Sequence, residues 1–320
     1  MSTEANRITE LATKLGFNPV TLEKVIRLGE ALELINEFLP EYSQQLALRG
    51  GTPLNLATDR AVPYRLSIDL DFDIVTELSG PDLDAFRDEL ETKLVGVFKK
   101  KGFNPGRARG FHSGGAIRIQ YQSYFHRTEQ IKLDLNYLNR KPFIPPVKTK
   151  LWQPEGFVRP SAQVISLPEI VTGKICALID RAAPRDFFDV YTLGEVGLGN
   201  AIGGDNRKYF LVGLSMLREP FWKRLKRKPL LVTQAAVEAE LDIVISHQVD
   251  GNKLTSIVQS LLASHLTLSE NERSFIEKIN VGELKTELIS SDKAFQGKLH
   301  SHPGLQWKLK NAQEHSLSRS

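Results

Sequence analysis

The stretch LALRGGTPLNLATDRAVPYRLSIDLDFDI, Leu46 to Ile74, decides how the rest of this chain is read. It opens as a short apolar strand, Leu46 to Leu48, breaks at Gly50-Gly51, and restarts as a helix at Thr52 and Pro53. Thr is a favourable N-cap, and Pro is preorganised for the first helical position. A Gly-Gly turn feeding a helix N-terminus offers free backbone N–H groups and the positive end of a helix dipole, which suits an anion such as phosphate. A second strand follows with strict alternation: Ile68, Leu70, Phe72 and Ile74 point one way, and Asp69, Asp71 and Asp73 the other. Two carboxylates about 4 Å apart repel by roughly 4 kcal/mol at an effective dielectric near 20. Such a face is either solvated or neutralised by a divalent cation. Mg²⁺ takes one or two protein carboxylates and completes its octahedron with phosphate oxygens and water. The glycine turn directly upstream favours the cation.

Arg49-Gly50-Gly51-Thr52, followed after a short spacer by Arg65-Leu66-Ser67-Ile68-Asp69-Leu70-Asp71-Phe72, resembles the AbiEii/AbiGii toxin family of nucleotidyltransferases, within the DNA-polymerase-beta-like superfamily. The family pattern is a GG-T or GS turn, a spacer, and R-x-S-x-D-[IL]-D. Arg49 stands where the family often has Lys, which keeps the charge. The resemblance implies an α+β nucleotidyltransferase fold, a mixed sheet flanked by helices, with a mostly helical C-terminal half. It implies Mg²⁺-dependent transfer of a nucleotidyl group from an NTP to an acceptor hydroxyl. Asp69 and Asp71 would bind two Mg²⁺. Gly50, Gly51 and Thr52 would cradle phosphate, while Arg65 and Ser67 brace the carboxylate strand, Arg65 within reach of the nucleotide. The setting implied is the toxin of a two-gene type IV toxin–antitoxin or phage-abortive system, with a separately encoded antitoxin as partner.

The chain has 320 residues, 41% of them hydrophobic, enough for one large or two modest cores. A formal net charge of +4 permits nucleic-acid or nucleotide partners without demonstrating them. The single cysteine, Cys176, excludes internal disulfides and a Cys-rich zinc site, and fits a reducing, cytoplasmic setting. No apolar run approaches the roughly 20 residues of a membrane span, so no membrane is expected.

Helices are expected over 3–16 and 20–38, then over 81–101 with a stripe of Leu83, Phe86, Leu90, Leu94 and Val97. Lys99, Lys100 and Lys101 end that helix, where they complement its C-terminal dipole or form an anion-binding surface with Arg107 and Arg109. Strands are expected over 115–125 and 130–138. His112 and His126, which bracket the first, have no partner at ligand spacing. In the second, Lys132, Asp134 and Asn136 share the face that would carry Asp69 and Asp71 if the strands are neighbours. The resembled superfamily draws a third carboxylate from a later strand, to accept the proton of the attacking hydroxyl or complete the first metal site. Asp134 fits that place; its alternative is an ion pair with Lys132 or another lysine.

The Pro-rich stretch 140–160 suggests a boundary between a catalytic region with N-terminal helices, 1–150, and a helical region, 151–320. Beyond it, Ser166-Leu167-Pro168-Glu169 reads as a capping box. Lys174 lies on the apolar stripe of the helix that follows, with Ile170, Val171, Ala177 and Leu178. Glu169, Lys174, Ala177, Leu178, Arg181, Arg185, Asp186 and Asp189 resemble the family's later motifs. These imply that Lys174 contacts the triphosphate, that Asp186 holds Lys174 or a neighbouring Arg, and that Asp189 is a second choice for that task. Lys174 and Asp186 thereby complete the active site from the helical region. Removing a charge from such a stripe is expected to leave stability unchanged or raise it. Trp222 to Lys228 holds five basic residues in seven, a nucleic-acid patch or a solvated helix end. Further helices are expected near 233–246, 253–265 and 269–288.

Some members of the resembled family add nucleotides to the 3′ end of tRNA, which makes tRNA the expected acceptor. Transfer to a protein side chain or a small molecule is the alternative, and a non-catalytic nucleotide-binding protein on the same fold is the rival from another class.

Overall fold

Strand β2 (Asp69–Ile74) lies at the centre of a seven-stranded sheet in the computed structural model, which describes residues 3–108 and 114–317. The strand forms because Leu70, Phe72 and Ile74, at most 1% exposed, all fall on one face. Burying such side chains stabilises the fold by about 1.5–3 kcal/mol each. The other strands are β1 (Leu46–Arg49), β3 (Asn104–Ala108), β4 (Gly114–Gln122), β5 (Thr128–Asn136), β6 (Val147–Lys150) and β7 (Ser161–Val164). Their order is β3-β4-β5-β2-β1-β7-β6. The sheet is mixed: β2 runs antiparallel to β1 and parallel to β5, and β1 runs parallel to β7.

This sheet belongs to one of two compact units, Met1–Ile165 together with Asp242–Gln248. The unit also holds α1 (Thr3–Leu15), α2 (Pro19–Phe38), α3 (Pro40–Ser43), α4 (Gly51–Leu56) and α5 (Gly80–Lys100). Helix α2 starts where Asn18 accepts from the backbone N–H groups of Val20 and Thr21, with Pro19 in the first turn. Its face of Leu22, Val25, Leu28, Leu32 and Ile35 is buried. Leu90, Leu94 and Phe98 are the buried stripe of α5. Strand β6 lies within the Pro-rich stretch, β7 follows it and the two pair with each other, so the sheet extends past residue 150 and the chain leaves this unit after Ile165.

Three local expectations need correction. Helix α4 begins at Gly51 with Gly50 as its N-cap, so Thr52 is inside the helix and its hydroxyl is used elsewhere. The helix expected over 233–246 stops at Glu240. Residues 242–248 instead return to the first unit, where Leu66 N–H donates to Val244 O at 2.7 Å and Arg65 bridges Ile245. The helix expected over 269–288 stops at Asn280, because Gly282 turns the chain at φ +85°. There Gly282 N–H donates to Ile279 O and Glu283 N–H to Lys278 O, which satisfies carbonyls the helix end leaves free. His126 occupies the β4–β5 turn at φ +59° and is exposed, as a turn residue should be. Arg109 and His112 lie outside the described residues.

The second unit, Ser166–Leu241 with Val249–Ser320, is helical. It contains α6 (Leu167–Arg181), α7 (Pro184–Val196), α8 (Leu198–Ile202), α9 (Arg207–Ser215), α10 (Phe221–Arg227), α11 (Gln234–Glu240), α12 (Gly251–His265), α13 (Glu270–Asn280), α14 (Lys293–Ser301) and α15 (Pro303–Leu317). Ser166 is the N-cap of α6: its Oγ accepts from Glu169 N–H, while Glu169 Oε2 accepts from that same hydroxyl at 2.7 Å instead of from the Ser166 backbone N–H, so half of the expected capping box forms. Among the described residues no helix is long and apolar enough to cross a membrane.

Candidate active site

The register of the central strands builds the site. Asp71 on β2 stands opposite Arg49 on β1 and opposite Asp134 on β5. Residues directly opposite on neighbouring strands share a face, about 4.8 Å apart across the sheet. Asp69, two residues earlier, shares that face and stands opposite Lys132. Asp69 and Asp71 are half-buried, while Asp73 is 5% exposed.

Gly50 closes the site over Asp71. Its φ of +75° disfavours any L side chain, and a Cβ there would come within 2.7 Å of Asp71 Oδ2. The turn between β1 and α4 is therefore glycine for two reasons, backbone conformation and proximity to a carboxylate. Thr52, 1% exposed, donates its hydroxyl to the backbone carbonyl of Asp69 at 2.5 Å and lies 3.0 Å from Ser67 Oγ. Arg65, also buried, donates Nη1–H to Leu66 O at 2.9 Å. Thr52 and Ser67 thus tie α4 to the entry of β2, and Arg65 is bonded to a carbonyl of the segment that leads into it. Trp152 holds the spacer before them, donating Nε1–H to Ala61 O and its backbone N–H to Leu56 O.

The cations nearby are already distributed. Arg49 Nε lies 3.2 Å from Asp73 Oδ1, which also accepts from Asn136 Nδ2 at 2.9 Å. Lys132 Nζ lies 2.6 Å from Asp134 Oδ2, the ion pair weighed as that residue's alternative. Asp71 has no ion pair among the described residues. Lys132 and Asn136 lie on the face expected from the alternation of β5, whereas the contacts of Arg49 and Asn136 with Asp73 are not read from the sequence. The signal was present in the alternation of β1 and β5, but the register that brings Arg49 to Asp73 is a pairing of distant strands.

No three His, Cys, Asp or Glu side chains among the described residues close into a metal cage. The donors present, two half-buried carboxylates at i and i+2 with glycine above one of them, fit a hard cation that completes its shell with phosphate and water.

In the second unit, Lys174 is 7% exposed, and Asp186 and Asp189 are fully buried. Lys174 Nζ lies 2.8 Å from Asp189 Oδ2 and 3.6 Å from Asp186 Oδ1. Arg181 grips Asp186 with both Nε and Nη2, at 2.6 and 2.9 Å. Asp189, the second choice in the sequence, is thus the closer carboxylate to Lys174. This pairing reverses the expected effect of removing Lys174, because the carboxylates would then be left buried with one cation fewer. Burial and the charge of Asp180 push the thiol of Cys176, on the same helix, up to about 12.

The basic run of α10 divides in two. Arg224 donates to Asp180 O and Lys228 to Arg181 O, so both complement the C-terminal end of α6. Arg227 pairs with Glu219. Lys223 and Lys226 are exposed and have no ion pair among the described residues.

Residues 34–210 match the profile of a protein family described as nucleotidyl transferase AbiEii toxin, type IV TA system. Among solved structures, the chain is similar to MenT4, a nucleotidyltransferase toxin from Mycobacterium tuberculosis H37Rv, at 16% identity and a TM-score of 0.58, covering 94% of this chain and 98% of that one. JHP933 from Helicobacter pylori aligns at 16% identity with a TM-score of 0.40, covering 83% of this chain and 93% of that one. The likeness to MenT4 shows a shared fold. No curated protein sequence matches the chain.

Proposed function

Since the chain belongs to the AbiEii nucleotidyltransferase toxin family of type IV toxin–antitoxin systems, and is a nucleotidyltransferase enzyme on that ground, we propose that it transfers a nucleotidyl group from an NTP to the 3′ hydroxyl of tRNA. The observation that carries the site assignment is Gly50 lying over Asp71 on a strand whose neighbouring position holds Asp134. In the reaction the acceptor oxygen bonds to the α-phosphorus, the bond from that phosphorus to the bridging oxygen breaks, and pyrophosphate leaves. Asp69 and Asp71 would hold Mg²⁺, which when bound neutralises the triphosphate and lowers the pKa of the acceptor hydroxyl. Asp134, with Oδ2 engaged by Lys132, keeps Oδ1 to accept the hydroxyl proton or to join Asp71 in binding the cation. The backbone of Gly50 and Gly51 lets phosphate approach where a side chain would block it. Thr52, Ser67 and Arg65 hold β2 in place beneath the nucleotide. Lys174, with Asp189 and Asp186 at its Nζ, belongs to the framework of the helical unit. A separately encoded antitoxin would restrain the activity in the cytoplasm.

The test is incubation of purified protein with each α-labelled NTP, Mg²⁺ and total cellular RNA or protein, followed by separation of the two fractions. Label at the 3′ end of tRNA, lost on omission of Mg²⁺ and in Asp71→Asn, is the expected result. Label in protein, or none with any acceptor, overturns the acceptor assignment.

A further inference from the structure

Away from the carboxylates, in the same unit, a cleft of about 370 Å³ opens between the C-terminal ends of α2 and α5. Leu39, Gly96 and Val97 line it, Phe38 forms one wall, and Lys93, Lys100 and Lys101 stand at its rim. Phe38 is 40% exposed, on a helix where Leu22, Val25, Ile26, Leu28, Leu32 and Ile35 are buried. Gly96 lies in the interior of α5, where glycine is the poorest helix former after proline. A Cβ there would meet nothing within 4 Å, so neither packing nor backbone conformation within this chain requires the glycine. Its effect is to keep the cleft open beside the helix backbone.

The charges select the occupant. Lys100 and Lys101 are exposed, and Lys101 Nζ sits 4.2 Å above the Phe38 ring. Lys93 Nζ sits 4.7 Å above Tyr42 and pairs with Glu89 at 2.9 Å. Both aromatic rings therefore already have a cation over one face. That arrangement disfavours stacking of nucleobases, which need open ring faces. It leaves an apolar floor bounded by positive charge, the complement of an apolar side chain bounded by negative charge. We infer that this cleft docks a protein segment that inserts a large apolar side chain over Gly96 and presents flanking carboxylates to Lys100 and Lys101.

The probe is a phage-displayed library of random peptides, selected on the full chain and counter-selected on Gly96→Trp. Selected sequences should share one large apolar residue with Asp or Glu beside it. The synthetic consensus peptide should bind Gly96→Trp and the Lys100→Glu/Lys101→Glu variant at least about tenfold more weakly than the parent, as loss of a central anchor does. Gly96→Ala should retain binding and melt a few degrees higher, since alanine favours the helix and meets open space. If Gly96→Trp fails to fold, the charge reversal at two exposed lysines carries the test alone. The proposal is overturned if selected peptides bind all variants equally or lack carboxylates. It is likewise overturned if a single-stranded RNA oligomer is the ligand that Gly96→Trp displaces, or if the variant abolishes self-association of this chain.

Discussion

Two of the carboxylate clusters among the described residues, one in each unit, are built to opposite ends. On β2 and β5, Asp69, Asp71 and Asp134 are partly open to solvent; Asp134 is held by Lys132 through one oxygen, and Asp71 has no ion pair among the described residues. On α7, Asp186 and Asp189 are fully buried and answered by Arg181 and Lys174 at 2.6–2.9 Å. A sealed, neutralised cluster gives the fold a specific register but has no charge to offer a ligand without first breaking a pair. An open cluster, in which glycine rather than a side chain covers a carboxylate, keeps negative charge on the sheet for a cation to satisfy. The cost of such like-charge crowding is on the order of a few kcal/mol, and a bound cation offsets it. Asp73 sharpens the contrast: it shares a strand with Asp71, yet Arg49 and Asn136 make it part of the framework.

If the open cluster is the catalytic one, Asp71→Asn should lower nucleotide incorporation by at least about 10³-fold, some 4 kcal/mol of transition-state stabilisation, with the melting temperature nearly unchanged. Asp73→Asn should do the reverse, with lost stability outweighing lost turnover; equal losses of activity at the two positions would erase the distinction drawn between them. The sealed cluster should respond in stability. Lys174→Ala leaves two buried carboxylates with one cation between them, and breaking a buried pair costs roughly 3–5 kcal/mol, measurable by urea unfolding. Unchanged stability with weakened NTP binding would instead mark Lys174 as a charge held ready for the triphosphate. Gly50→Ala should cost about 1–3 kcal/mol through strain at positive φ, and reduce activity more than that strain explains because the methyl meets Asp71 Oδ2. A thermal melt alongside an incorporation assay separates the two. The smallest effect belongs to α10. Neutralising Lys223 and Lys226, and leaving the structural Arg224 and Lys228, should flatten the log–log salt dependence of tRNA binding by about 1–2. An unaltered slope would identify these lysines as a solvated helix end.

Much of this was legible in the sequence because it depends on short-range periodicity. Alternation over Ile68 to Ile74 fixes a strand with carboxylates on one face, whatever its neighbours. The N-cap at Ser166 and the apolar stripe of α6 are equally local, and the spacing of Gly50-Gly51 to Asp69 and Asp71 carries the family resemblance. What was misjudged depends on partners far along the chain. Thr52 looks like an N-cap by its neighbours, but its hydroxyl reaches the Asp69 carbonyl. A helix through residue 246 satisfies local propensity, but residues 242–248 pair with Arg65 and Leu66.

The sequence by itself determined where the carboxylates fall and which glycines precede them, because alternation and turn chemistry are properties of adjacent residues. Only the tertiary structure decided which carboxylates are spent and which are kept. Arg49 reaches Asp73, Lys132 reaches Asp134 and Lys174 reaches Asp189 through sheet register and helix packing. Charge pairing acts over a few ångströms of space, and distance along the chain does not report it.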